Sequence, residues 1–175
     1  GDAVLPNDSL ATIDFVLSVE HTLKVEIPPG GHRIELLPQG GWQAWLQRNR
    51  RPERLFRDHT FSISSSSRFK MQLECQYGDG SNTCLIREPV SGDAVPLNIA
   101  VTLPAGMIDV GGQPVNRRPL LRDGTGTELF EPAYYVDRKP ATLHFEVGRE
   151  AVEQMLTGEG KTYTGDVTVI WDSQV

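Results

Sequence analysis

The clearest binding chemistry in the sequence lies in the segment WQAWLQRNRRPERLFR, residues 42 to 57. Aromatic faces stack on sugar rings, and clustered guanidinium groups form forked hydrogen bonds to carboxylate or sulfate groups. The segment therefore predicts contact with an acidic glycan, and the expected contact residues are Trp42, Trp45, Arg48, Arg50 and Arg51. In the alternative interpretation, one tryptophan fills the core and the arginines, including Arg54 and Arg57, form a solvated loop.

Two cysteines, Cys75 and Cys84, lie near the ends of ECQYGDGSNTC, whose middle is rich in turn-forming residues. We expect them to flank a hairpin. A disulfide between them would stabilise it by about 2–3 kcal/mol in an oxidising compartment. The alternative is two reduced thiols in the core. No metal site is predicted, because the spacing matches no zinc pattern.

Residues that could carry catalysis do not form a recognised pattern. The run DGTGT at residues 123 to 127 has the composition of an aspartic-protease loop but not its Asp-Thr-Gly order, so we interpret it as a turn. None of the histidines neighbours a nucleophile in a known motif; they are His21, His32, His59 and His144. The sequence predicts no enzyme and no cofactor. A net charge of −6 disfavours a nucleic-acid partner.

Most of the chain alternates between apolar and polar residues with the period of a strand. Such segments occur at residues 33–37, 60–64, 69–75, 84–88, 95–103, 141–147 and 162–171, separated by glycine- and proline-rich turns. Only residues 148–156 have helical spacing, with Val152, Met155 and Leu156 on one side. The pattern predicts an all-β, antiparallel sandwich of immunoglobulin-like type with one short helix.

The longest alternating run, residues 11 to 29, is too long for one strand of a small sandwich. No Gly, Pro or Asn near His21 would reverse the chain, so we expect residues 10–20 to project beyond the domain. An exposed apolar strand is an aggregation template unless something covers it, and a neighbouring molecule could do so by β-augmentation. The side chains to be covered are Ile13, Phe15, Leu17 and Val19.

The two ends of the chain together resemble a pilin subunit of the bacterial chaperone–usher pathway. The residues that carry the resemblance are the apolar leading segment and a Tyr-x-Gly-x-Val-x-Val pattern in Tyr163-Thr164-Gly165-Asp166-Val167-Thr168-Val169, near the end of the chain. Within that pathway, the ending GDVTVIWDSQV is most similar to the alpha-clade group, which includes colonisation-factor and common-pilus fimbriae.

The resemblance implies an incomplete sandwich that is completed by donor-strand exchange. Residues 1–21 would be the donor extension and residues 22–175 the pilin domain. The groove that accepts a neighbour's strand would be lined by Leu23, Val25, Ile27, Val167, Val169 and Trp171. The implied partners are neighbouring subunits, a periplasmic chaperone and an outer-membrane usher, and the implied location is an extracellular fimbrium reached through the periplasm. The alternative role is a minor or tip-associated pilin or adhesin that binds host acidic glycans through residues 42–57, and its partner would be a host glycan or protein receptor.

Three further interpretations remain open, two of the leading segment and one of the whole chain. It could be a long edge strand shared between the two sheets of one domain, with a bend near His21, or a strand inserted into its own domain through a wider loop. The whole chain could instead be a secreted carbohydrate-binding or chaperone-like module. The opening GDAV, without an initiator Met, leads us to expect a processed secretory protein.

Overall fold

The structure, a computed structural model, describes residues 11–20, 24–26, 33–41, 53–157 and 162–174. The regular secondary structure of the described part is all strand apart from one short helix, so the predicted fold class is confirmed. The strands are β1 (Ala11–Glu20), β2 (Lys24–Glu26), β3 (Arg33–Glu35), β4 (Leu55–Ser65), β5 (Arg68–Cys75), β6 (Cys84–Arg87), β7 (Ala94–Thr102), β8 (Met107–Asp109), β9 (Arg118–Pro119), β10 (Phe130–Pro132), β11 (Val136–Val147) and β12 (Tyr163–Gln174).

The first sheet, sheet A, is organised around β12. On one side β12 pairs in parallel with β1, which in turn pairs antiparallel with β3. On its other side β12 pairs antiparallel with β5 and, at one position, with β6. Strand β10 extends the sheet by pairing with β5 and β8. Apart from the β1–β12 pair, the ladders of this sheet are antiparallel.

The second sheet, sheet B, is an antiparallel ladder in the order β2-β4-β11-β7, with β9 beside β7. Strand β7 joins the two sheets, because its first half pairs with β6 and its second half pairs with β11. Its buried side chains alternate as the sequence predicts, at Val95, Leu97, Ile99 and Val101.

Aromatic side chains fill the space between the sheets. Trp171 of sheet A has its ring centroid 5.3 Å from that of Phe61 in sheet B and 5.7 Å from that of Phe69. Phe69 in turn lies 5.8 Å from Phe130. Because Trp171, Phe69 and Phe130 are fully buried, the last strand is fixed at the centre of the core.

Cys75 and Cys84 form a disulfide, as predicted, with their Cα atoms 5.5 Å apart. The two cysteines flank a hairpin with very little pairing of its own. Its pairing is an isolated bridge between Tyr77 and Leu85, because β5 and β6 each pair with β12 instead of with each other along their length. The disulfide therefore closes the short loop between β5 and β6, the two strands that pair with β12 on this side.

The helix α1 (Arg149–Leu156) connects β11 to the segment that leads into β12, close to the predicted bounds of 148–156. Val152 and Met155 on its inner side are buried against the core. Within the described ranges, no helix has the length and apolar character needed to cross a membrane.

Candidate functional site: the slot beside strand β12

In the single chain, β1 lies between β12 and β3 of its own sheet. The expectation that residues 10–20 project from the domain is therefore wrong for the single chain. The run is divided between the two sheets, as in one alternative, but β1 is an inner strand of sheet A and not an edge strand. The expectation failed because the chain does not need to reverse its direction after β1. Since β1 belongs to sheet A and β2 to sheet B, the chain needs only to change sheets between Glu20 and Lys24.

The inward side chains of β1 are part of the core. Ala11 and Ile13 are fully buried and Phe15 is 1% exposed. The ring of Phe15 lies 5.8 Å from that of Phe145 and 5.1 Å from that of His59, both on sheet B. Burying Ile13 and Phe15 contributes about 3–6 kcal/mol. The backbones of Leu17 and Val19 continue the ladder opposite Val169 and Trp171.

The space between β12 and β3, which β1 fills, is called the slot here. One of its walls is β12, which carries three of the predicted groove residues. Val167, Val169 and Trp171 of β12 are buried, and Val167 lies opposite Phe15. Gly165 lies opposite Ile13, and a Cβ added to it would come within 3.2 Å of the backbone oxygen of Leu85. A side chain at Gly165 would therefore push β12 away from β6.

The other wall differs from our expectation, which assigned it to Leu23, Val25 and Ile27. Val25 pairs with Ile63 in sheet B, so it does not face β12 across the slot, while Leu23 and Ile27 lie outside the described residues. The strand on that side of β1 is β3, whose buried Ile34 lies opposite Ile13. The sequence predicts a strand at residues 33–37 but not its pairing with β1, because β3 has only three residues to carry a pattern.

The outer side of β1 fits its position less well. Asp14 lies opposite Asp166 in the parallel ladder, and both side chains are exposed. Like charges directly opposite each other on neighbouring strands destabilise the pair by roughly 0.2–1 kcal/mol. Val16, opposite Thr168, is 57% exposed. Besides its backbone ladders with β12 and β3, the inserted strand is therefore stabilised mainly by the side chains of its inner face.

The first residue of β12 is fixed by a polar cluster that sequence reasoning missed. The Tyr163 hydroxyl donates a hydrogen bond to Asp93, and Gln154 of α1 donates to the other oxygen of that carboxylate at 2.6 Å. Burial, together with the hydrogen bond to Asp93, raises the pKa of Tyr163. Tyr163 also lies opposite Ala11, so this cluster defines where the β1–β12 ladder begins.

A second cluster lies on the outer face of sheet B. His144 Nδ1 lies 2.8 Å from Asp58 Oδ1, and its Nε2 lies 2.7 Å from the hydroxyl of Thr102. A carboxylate, an imidazole and a hydroxyl in this order could activate a nucleophile. However, the Thr102 oxygen also accepts the backbone N–H of Arg117 at 3.0 Å. We interpret the cluster as a cross-strand network joining β4, β11 and β7.

The predicted glycan-contact residues Trp42, Trp45, Arg48, Arg50 and Arg51 lie outside the described residues, so that contact stays a prediction. At the end of the same segment, the guanidinium group of Arg54 lies 3.4 Å from the carboxylate of Glu146 and 4.3 Å from the ring centroid of Phe56. No cluster of three or more potential metal ligands occurs among the residues that the structure covers.

Comparison with known proteins gives only remote likenesses. No protein-family model and no curated protein matches the chain. One similar solved chain comes from the chaperone–tip adhesin complex of CFA/I fimbriae biogenesis, with 11% identity over 87% of this chain and 42% of that chain, at a TM-score of 0.44. Another is CfaE, the adhesive subunit of CFA/I fimbria of enterotoxigenic Escherichia coli, with 9% identity over 79% and 44% of the two chains, at a TM-score of 0.33. The chain spans less than half the length of either, and at these scores the likeness carries no argument about function.

Proposed function

We propose that the chain is a structural subunit of a bacterial surface fimbria of the chaperone–usher type, most like the alpha clade, and that it polymerises by placing β1 in the slot of a neighbouring subunit. The observation that supports the proposal is the position of β1. This one strand fills the slot between β12 and β3, and it supplies Ala11, Ile13 and Phe15 to the core. The expected partners are other subunits, a periplasmic chaperone and an outer-membrane usher, and the expected location is an extracellular fimbrium.

The exchange is energetically plausible because a neighbour's β1 would bury the same side chains as the chain's own β1. The free energy of burial would be similar in the two states, so concentration and the connection at residues 21–23 would decide between them. The opposed carboxylates of Asp14 and Asp166 weaken the binding of β1 in the slot, and they would do so equally for a neighbour's β1 in the same register, so they favour neither state. We infer that the self-inserted strand can be replaced.

A disulfide lock on β1 tests the proposal. Val16 and Thr168 are opposite each other in the ladder and neither is in the apolar core, so the V16C/T168C double variant should form a cross-strand disulfide within one chain. The locked chain should remain monomeric at high concentration after mild denaturant treatment, because its β1 cannot leave and its slot cannot open. Reduction should restore concentration-dependent polymers, measured by size-exclusion chromatography with light scattering.

The matched control is the V16S/T168S variant treated with the same reductant, which reports any effect of reducing the disulfide between Cys75 and Cys84. This control should form polymers under both conditions. Equal polymer formation by the locked and reduced forms, or no polymers in the reduced form, would show that the proposal is wrong.

A further inference from the structure

His59 lies where β1 contacts the opposite sheet. Its ring meets that of Phe15 edge-on, with the centroids 5.1 Å apart and the planes at 71°. Across the β4–β11 ladder its partner is the buried Leu143. The Nε2 atom of His59 is buried and has no hydrogen-bond partner among the described residues. An imidazole in this environment packs against Phe15 as a neutral ring.

No acidic group within the described ranges compensates a positive charge on His59. Arg57, two residues away on β4, has a like charge that acts on the ring. The next carboxylate along β4, that of Asp58, is bound to His144 of β11 on the outer face of the sheet. On β1, the carboxylate of Asp14 is exposed on the outer side of the sandwich. A proton gained by His59 would therefore place an unpaired charge beside Phe15.

We propose that His59 is an acid-sensitive latch on β1: its neutral ring retains the strand, and its protonation favours release of the strand from the slot. The release itself depends only on the geometry described here. Its consequence, faster exchange of β1 between copies at acidic pH, rests on the proposed function.

The direction of the pH dependence follows from the pKa of His59. Burial, and then the charge of Arg57, holds this pKa below its usual value of 6.5 while β1 is inserted. Release of β1 removes Phe15 from the ring of His59, which lessens the burial of that partly exposed side chain and lets its pKa rise toward 6.5. The released state then binds more protons, so insertion is fully stable above about pH 6.5. As the pH falls below 6.5, the ratio of released to inserted strand should rise by up to about ten-fold per pH unit, until it levels off below the lowered pKa.

Two readouts separate the latch from strand exchange. The first is hydrogen–deuterium exchange of the β1 amides at about pH 5 and pH 7.5, corrected for intrinsic exchange. The second is uptake of a fluorescent peptide with the sequence of residues 10–20. In the wild type, both corrected release and peptide uptake should be higher at the lower pH, by no more than about ten-fold for each pH unit below 6.5. The H59Q variant should lose this increase in both readouts, because it cannot be protonated.

His144 supplies the matched control, because it lies on the outer face of the neighbouring strand. The H144Q variant should keep the wild-type pH dependence. A wild type whose corrected release is the same at both pH values, or an H59Q variant that keeps the increase, would overturn the latch. If H59Q does not fold, an NMR titration of wild-type His59 decides: its midpoint must coincide with loss of β1 protection, and a mismatch of about one pH unit or more overturns the latch. If release of β1 depends on pH but the peptide is not taken up, the latch stands and only strand exchange is contradicted.

Discussion

Replacing Phe15 with alanine should lower the free energy of unfolding by about 3–5 kcal/mol, because the substitution removes a fully buried ring from the core. Phe15 is 1% exposed and contacts the rings of His59 and Phe145 on the opposite sheet. Urea denaturation followed by tryptophan fluorescence measures the loss, since Trp171 is buried in the same core.

The adjacent residue provides the control for this substitution. Val16 lies on the same strand but is 57% exposed, so V16A should change the free energy of unfolding by less than about 0.5 kcal/mol. A similar loss in F15A and V16A, or no loss in F15A, would mean that β1 does not contribute its inner face to the core.

A chain that begins at residue 22 should not fold cooperatively by itself. Without β1, the buried side chains of Ile34, Val167, Val169 and Trp171 border an open slot. The loss of about 3–6 kcal/mol from two side chains alone is comparable to the total stability of a small domain. We expect the truncated chain to aggregate or to lose its cooperative thermal transition, measured by circular dichroism and light scattering.

Adding β1 as a separate peptide should restore this truncated chain. A peptide of residues 10–20 should raise its melting temperature with increasing concentration, because a ligand that binds the folded state stabilises it by mass action. A peptide with both Ile13→Asp and Phe15→Asp should have no effect, since burying two carboxylates in the slot is unfavourable. Cooperative folding of the truncated chain without any peptide would contradict this account of the slot.

The parts of the fold that local patterns determine could be predicted from the sequence. The period-two alternation of β7 identifies Val95, Leu97, Ile99 and Val101 as inward residues, and all four are buried. The helical spacing at Val152 and Met155 locates α1 to within one residue of its start. The turn-rich loop between the cysteines likewise points to the disulfide that the structure contains. In these cases the residues that carry the signal are close in sequence.

The pairings between distant segments could not be predicted in the same way. Alternation in residues 11–20 shows that one face is buried, but not which strand lies beside it, and its actual partner begins at Tyr163. We expected residues 10–20 to project because no residue near His21 would reverse the chain, but β1 and β2 lie in different sheets, so no reversal is needed. The contact of Phe15 with His59 and the network of Asp58, His144 and Thr102 likewise join separate strands. Side-chain pairs of this kind depend on the register of the sheets, which no local pattern records.

Assembly into a fimbria requires that β1 can occupy the slot of another copy. The most direct measurement mixes two variants that each carry one added cysteine, V16C and a mass-tagged T168C, under polymerising conditions that keep the Cys75–Cys84 disulfide intact, and treats them with a short thiol-specific cross-linker. Because residues 16 and 168 are opposite each other beside β12, exchange predicts a cross-linked product that contains one chain of each kind. If the V16C/T168C double variant cross-links within single chains while the mixture gives no product of two chains at any concentration, β1 belongs permanently to its own chain and the fimbrial proposal is contradicted.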